Sequence, residues 1–227
     1  MNHLESFIEA QQTQAHANIE TSHRCALKCP QCSRAKLFRP KESRDYRDIK
    51  AKIQSGGDLS IKNAEKILKF FDNGFGLCGQ ISDPVYWHNF LDFLKLSQKF
   101  PHVSVGIHTA ASQKNIEWYR RAFELCYENI HWKFGIDGFV DTSSIYRVGQ
   151  NTALLFDAMH LAKSMGLTVE WHFIVFEHNE HQVEQAKEYA DEHGFILHLI
   201  KSNRTGGNVR VPKNWRPDGY NKEILRQ

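Results

Sequence analysis

Apolar positions along this chain fall into short runs, and each run is followed by a longer stretch in which they recur every three or four residues. The runs cover residues 17–21, 74–78, 103–108, 130–137, 167–176 and 195–200. They are rich in Val, Ile and Phe and continuous more than alternating, which is how parallel strands covered on both faces read. The stretches between them read as amphipathic helices. In SIKNAEKILKFFDN, Ser60 is a good N-cap, and Ile61, Ala64, Leu68 and Phe71 share one face. A second helix is predicted over 86–100, where Pro101 stops it, and others over 113–127, 151–165 and 180–193. The last two run into Gly166 and Gly194, the favoured residue just past a helix end.

Strand–helix alternation with right-handed crossovers predicts a parallel sheet or barrel. Six such units are too few for a complete eight-unit barrel. The expected fold is therefore α/β, a partial (β/α)6 TIM-like barrel over residues 17–200, and the pattern alone leaves a doubly wound sheet open. An N-terminal extension over 1–16 precedes it, and a segment over 201–227 covers or flanks the barrel mouth. The 27 residues between Cys32 and Ser60 form one long connection. A loop of that length is functional or mobile, or else a short helix with a solvated turn.

Composition narrows the class. With 227 residues, 41% hydrophobic and 24% charged, the chain is globular, neither disordered nor fibrous. No run approaches the length of an apolar membrane span, so no membrane partner is expected. MNHLESFIEAQQTQ lacks the basic start and apolar core of a signal peptide, and the expected location is the cytoplasm. Charge is uneven: residues 201–227 carry seven Lys or Arg against Asp218 and Glu223, a net +5, leaving −2 for the rest of a +3 chain. Five cysteines, three of them within eight residues, point to metal or redox chemistry more than to a disulfide framework.

Those three are Cys25, Cys29 and Cys32 in CALKCPQC, directly after the first predicted strand. A zinc site normally wants four ligands in two pairs, and an ordinary iron–sulfur cluster wants four cysteines. Three thiolates leave one metal corner open, which is what chemistry needs.

In the context IETSHRCALKCPQC the sequence resembles the radical SAM superfamily, whose signature is this spacing at the end of the first barrel strand. The resemblance covers about residues 18–201. It implies that Cys25, Cys29 and Cys32 hold a [4Fe–4S] cluster whose fourth iron binds S-adenosyl-L-methionine (SAM). Reductive cleavage of SAM would then release a 5′-deoxyadenosyl radical, which abstracts hydrogen from the substrate. Further residues are carried over singly. Gly79 and Asp83, in CGQISDP after the second strand, stand where the family has a Gly-Gly-Glu-Pro-like turn that receives the SAM amino group; Asp83 replaces the usual Glu. Thr109, in HTAAS, stands where members often read Thr-Asn-Gly, and Ala110 lacks the amide of that Asn. Asp137, in KFGIDG, resembles the Ser-x-Asp-Gly ending that meets the SAM ribose and carboxylate, with Gly135 in place of the hydroxyl residue. Arg147, in DTSSIYR, matches an Arg that pairs with the SAM carboxylate, a task suited to a bidentate guanidinium. The bland reading of Arg147 is a surface residue at a helix start.

Other polar residues stay open at this level. In VEWHFIVFEHN, His172, Ile174, Phe176 and His178 share one strand face and Trp171, Phe173, Val175 and Glu177 the other, with the inward face undecided. Asn179 can cap the following helix. His172, His178 and His181 read as polar packing more readily than as a metal site. Cys126 reads as core, and Cys78 stands near the turn assigned to SAM. In the basic segment, Arg210, Lys213 and Arg216 around Trp215 suit an acidic or phosphate-bearing substrate, or else the segment is a cover.

The resemblance thus implies a radical SAM enzyme acting on an unidentified peptide, nucleotide or small molecule, with a reductant such as flavodoxin or ferredoxin. The alternatives are a glycyl-radical-enzyme activase and a non-catalytic iron–sulfur or zinc-binding module.

Overall fold

The computed structural model describes residues 17–34, 57–79, 81–202, 204–206 and 209–217. The expectations for 1–16, for most of the long connection and for 218–227 lie outside them. Six strands follow in chain order: β1 (Ala17–Asn18), β2 (Phe75–Leu77), β3 (Val105–Thr109), β4 (Ile130–Gly135), β5 (Val169–Val175) and β6 (Ile196–Lys201). Every neighbouring pair is parallel, and the order across the sheet is β1-β2-β3-β4-β5-β6. A doubly wound sheet reverses its strand order at a switch point. This sheet has no reversal, so successive right-handed crossovers put the helices on one side and the fold is the partial barrel.

Helices bounded within the described residues are α1 (Ile61–Phe70), α2 (Phe90–Ser97), α3 (Ile116–Glu124), the single turn α4 (Ser143–Tyr146), α5 (Thr152–Ser164) and α6 (Val183–His193). Ser60, Asn115 and Asn151 cap α1, α3 and α5, each accepting a hydrogen bond from a backbone N–H three residues on. The helix predicted over 86–100 begins later, at Phe90. Asp83 caps a separate 3-10 turn at Pro84–Tyr86, and Trp87 leaves that turn extended, donating its indole N–H to the Leu59 carbonyl at 2.8 Å. β1 is also shorter than expected, although Ile19 N still donates to Gly76 O at 2.8 Å.

Strand alternation separates two faces. Val105, Ile107, Ile130, Trp132, Phe134, Val169, Trp171, Phe173 and Val175 are all sealed in one core with residues of α1, α2, α3, α5 and α6. The opposite, concave face carries His108, Lys133, Gly135, Glu170 and His172, all half-buried. The strand face left undecided by the sequence is thereby settled: Trp171, Phe173 and Val175 meet the helices, and Glu170, His172 and Ile174 face the lumen. At its mouth a smaller apolar group joins Leu27, Cys29, Tyr146, Ile174, Phe176 and Val209.

The described part of the C-terminal segment lies against this mouth. Val209 is buried there, and Glu180 accepts hydrogen bonds from Asn214 N at 2.8 Å and Trp215 N at 3.0 Å. Lys213 pairs with Glu177, and Arg216 donates to the Pro212 and Trp215 carbonyls. Among the described residues, no helix is long and apolar enough to cross a membrane.

Trp132 sits at the centre of the core, 5.0 Å from Phe123, 5.8 Å from Phe134 and 5.9 Å from Phe90 between ring centroids. Trp132→Ala is expected to lower unfolding free energy by about 3–5 kcal/mol in urea titration, because the cavity left among fixed rings cannot collapse. Val140→Ala, at a position 61% exposed, should change it by less than about 0.5 kcal/mol.

Candidate active site at the mouth of the sheet

The loop that follows β1 brings Cys25, Cys29 and Cys32 to the strand ends, and the chain holds this loop from two sides. On one side Lys28 N donates to Val148 O at 2.9 Å. On the other, Asp83 N donates to Arg24 O at 2.9 Å, and the Arg24 guanidinium reaches the Tyr86 carbonyl and pairs with Asp58. Arg34 further ties the loop to Ile81 O at 3.1 Å.

All five cysteines are free thiols. Burial, with the nearby Asp83 carboxylate, pushes the Cys25 thiol up to about 12. Burial also raises Cys29, with the Arg147 charge pulling the other way. Thiols so placed become thiolates only when a cation compensates them.

Asp83 and Thr109 meet across the ends of β2 and β3. The Asp83 carboxylate accepts hydrogen bonds from Thr109 Oγ1 at 2.9 Å, Ala110 N at 2.8 Å and Val85 N at 3.3 Å. Burial still pushes its carboxyl up to about 6, against those hydrogen bonds and the Arg147 charge. Gly79 lies in the turn before it, where any Cβ would collide with the Ser82 carbonyl and with Glu20.

Asp137 and Arg147 form the second pair. Asp137 is fully buried and accepts from Arg147 Nε at 2.7 Å, from Nη2 at 3.3 Å and from Ile174 N at 2.9 Å. Arg147 is neither on the surface nor at a helix start. It ends the single turn α4, with its side chain 14% exposed, and crosses directly over Gly135. A Cβ at Gly135 would lie 3.1 Å from Arg147 Nη2. A side chain at position 135 would therefore meet the guanidinium, and glycine leaves that space to it.

Asn179 departs from expectation. It makes no cap hydrogen bond to the following turn. Its amide accepts from Phe176 N at 2.7 Å and donates to Asp137 O at 2.9 Å and Ile174 O at 3.0 Å, so its capacity is spent joining the ends of β4 and β5. His172, His178 and His181 are not gathered: His178 stacks on Phe176 with ring centroids 5.4 Å apart, and His181 lies in the turn Glu180–Gln182. Cys126 packs against the core, donating to Ala122 O at 3.2 Å. Burial, with the Asp83 charge, raises the Cys78 thiol.

Two residues of the site gave no signal in the sequence. Glu20 accepts from Ile81 N at 3.2 Å and from Ser82 Oγ, bracing the Gly79 turn. Gln150 donates to Ala110 O at 2.9 Å and Gly135 O at 3.0 Å, joining the ends of β3 and β4. Nothing local distinguishes either from a surface residue.

Comparison with solved structures finds the same architecture elsewhere. Streptococcus suis SuiB bound to precursor peptide SuiA superposes with a TM-score of 0.64 at 13% identity, over 95% of this chain and 48% of that one. Native anSMEcpe with bound AdoMet gives 0.56 at 17% identity, over 88% of this chain and 53% of that one. Methylornithine synthase (PylB) gives 0.56 at 13%, over 86% and 56%. The chain spans about half the length of these proteins. No family model matches the sequence, and no curated protein matches it. The likeness is one of fold, and the fold is the partial barrel that the radical SAM resemblance implies.

Removing one partner of the buried pair isolates the other. Arg147→Met should destabilise the protein by about 3–5 kcal/mol in urea titration, since it strands the Asp137 charge. Asp137→Asn combined with Arg147→Met should recover most of that loss.

Proposed function

We propose that this protein is a radical SAM enzyme. The observation that carries the reading is the placement of Cys25, Cys29 and Cys32 on one anchored loop at the strand ends, beside both the Asp83–Thr109 and Asp137–Arg147 pairs. The donor set fits a [4Fe–4S] cluster: three soft thiolates on one loop, with Cys25 and Cys29 buried enough that a compensating positive charge is needed to ionise them. When bound, the cluster and SAM supply an electron and a carbon radical able to take hydrogen from an unactivated position.

The chain's own residues have distinct tasks. The Asp83 carboxylate, its orientation set by Thr109 and Ala110, is the acceptor for an ammonium group, next to the turn that Gly79 makes possible. Arg147 keeps Nη1 outside its pair with Asp137 and offers it to a carboxylate. Asp137 holds that guanidinium in place. Leu27, Tyr146, Ile174, Phe176 and Val209 surround Cys29 with apolar surface and keep water from the centre.

A peptide substrate is supported by the likeness in fold to SuiB, whose structure contains a precursor peptide. The acidic or phosphate-bearing substrate has less support, because Lys213 and Arg216 are engaged by Glu177 and by backbone carbonyls. A small reductant of the flavodoxin or ferredoxin kind would deliver the electron.

Anaerobically reconstituted protein should hold about four irons and form 5′-deoxyadenosine from SAM under a strong reductant. Replacing Cys25, Cys29 and Cys32 together by Ala should abolish both. A cluster that never yields 5′-deoxyadenosine would instead identify a non-catalytic iron–sulfur module. Asp83→Ala should weaken SAM binding, measured by equilibrium dialysis, by about 1.5–3 kcal/mol with iron content unchanged, and Asp137→Asn with Arg147→Met, which strands no charge, should weaken it as well.

A further inference from the structure

Deeper in the lumen, on the concave face of β5 and β6, lies a polar group that the cysteine site does not use. His172 and His198 are direct neighbours across the β5–β6 register, and Glu170 lies two residues before His172 on the same face. His172 Nε2 is 3.2 Å from Glu170 Oε2, and His198 Nε2 is 3.0 Å from that same oxygen. Lys133 Nζ stands 3.3 Å from the other oxygen, Oε1. Among the described residues, this is the set of His, Cys, Asp and Glu whose ligand atoms all fall within 4.8 Å of one another.

We propose that Glu170, His172 and His198 form a binding site for one divalent transition-metal ion, of the zinc or ferrous class, on the lumen side of the sheet. Two imidazole nitrogens and one carboxylate oxygen are the donor set such ions take, and three protein ligands leave a position open. The spacing agrees. Donors about 2.0–2.1 Å from a tetrahedral ion stand about 3.3 Å apart, close to the 3.0 and 3.2 Å separations here.

A hydrogen-bonded cluster alone accounts for the geometry less well. His198 Nε2 is buried without a hydrogen-bond partner despite its nearness to the carboxylate, so both imidazoles crowd one oxygen and only His172 bonds to it. An ion between them would engage both nitrogens and the oxygen together. Lys133 then has the place of an outer partner, holding Oε1 so that Oε2 faces the histidines.

The site does not rest on the proposed function, and its test does not read SAM cleavage. Full-length protein with its cluster reconstituted is titrated with Co2+ and then Zn2+, following visible absorption and calorimetry. The expected result is a single Co2+ per chain, with ligand-field bands but no thiolate charge-transfer band, displaced by Zn2+. Glu170→Gln and His198→Ala should each weaken Co2+ binding at least ~100-fold, with iron content and circular dichroism unchanged. His198→Gln serves if the alanine variant misfolds. His181→Ala, outside the set, should bind as wild type, and the triple cysteine-to-alanine variant should keep the Co2+ site. Absence of saturable Co2+ binding, or equal binding by the wild type, Glu170→Gln and His198→Ala, would overturn the proposal.

Discussion

A carboxylate sealed from solvent is tolerable only when another charge and enough hydrogen-bond donors meet it, and Asp137 imposes that requirement on everything at the mouth of this sheet. Arg147 satisfies it from the end of α4, and the Ile174 N–H of β5 completes it. For the guanidinium to arrive, position 135 must carry no side chain. One residue beyond Arg147, the Val148 carbonyl receives the Lys28 N–H, so the segment that answers Asp137 also fixes the loop bearing the cysteines. Asn179 and Gln150 then join adjacent strand ends around the pair. Strand ends, cysteine loop and buried charge form one mechanical unit.

The two faces of the sheet follow opposite rules. Toward the helices, large rings pack edge to face and few polar atoms intrude: Trp132 and Trp171 direct their indole N–H groups to Cys126 Sγ and Ile136 O. Toward the lumen, the same strands carry Lys133, Glu170, His172 and His198, half-buried and arranged around one carboxylate. Charges that close to the interior cost desolvation and persist only where each is matched. A concave face built this way is suited to binding and the convex face to stability, the division of labour expected when chemistry sits at strand ends and lumen.

The end of the described chain completes the enclosure. Val209 enters the apolar group around Cys29, while Lys213 and Arg216 are spent on Glu177 and on carbonyls of the segment itself. In its described part, a segment rich in cations in sequence thus buries Val209 and Pro212 and engages Lys213 and Arg216 locally, while Arg210 and Val211 stay exposed.

Much was legible from the residues alone. Runs of Val, Ile and Phe alternating with amphipathic stretches determined the strands and helices, because both periods are local and a cap such as Ser60 marks the helix start within the same stretch. The spacing of Cys25, Cys29 and Cys32 stood out because it lies within one loop, whereas Asp83, Thr109, Asp137 and Arg147 were singled out only through the radical SAM resemblance. What tertiary structure decided were relations across strands. The open choice between a doubly wound sheet and a partial barrel turned on strand order, which no local pattern encodes. His172, His178 and His181 read as polar packing more than as a metal site, and only the register of β5 against β6 sets His172 beside His198 and Glu170. The glycine at 135 read as a missing hydroxyl until the path of Arg147 across it became visible. In each case the deciding contact joins residues far apart in the chain, and the geometry that joins them exists only once the sheet has formed.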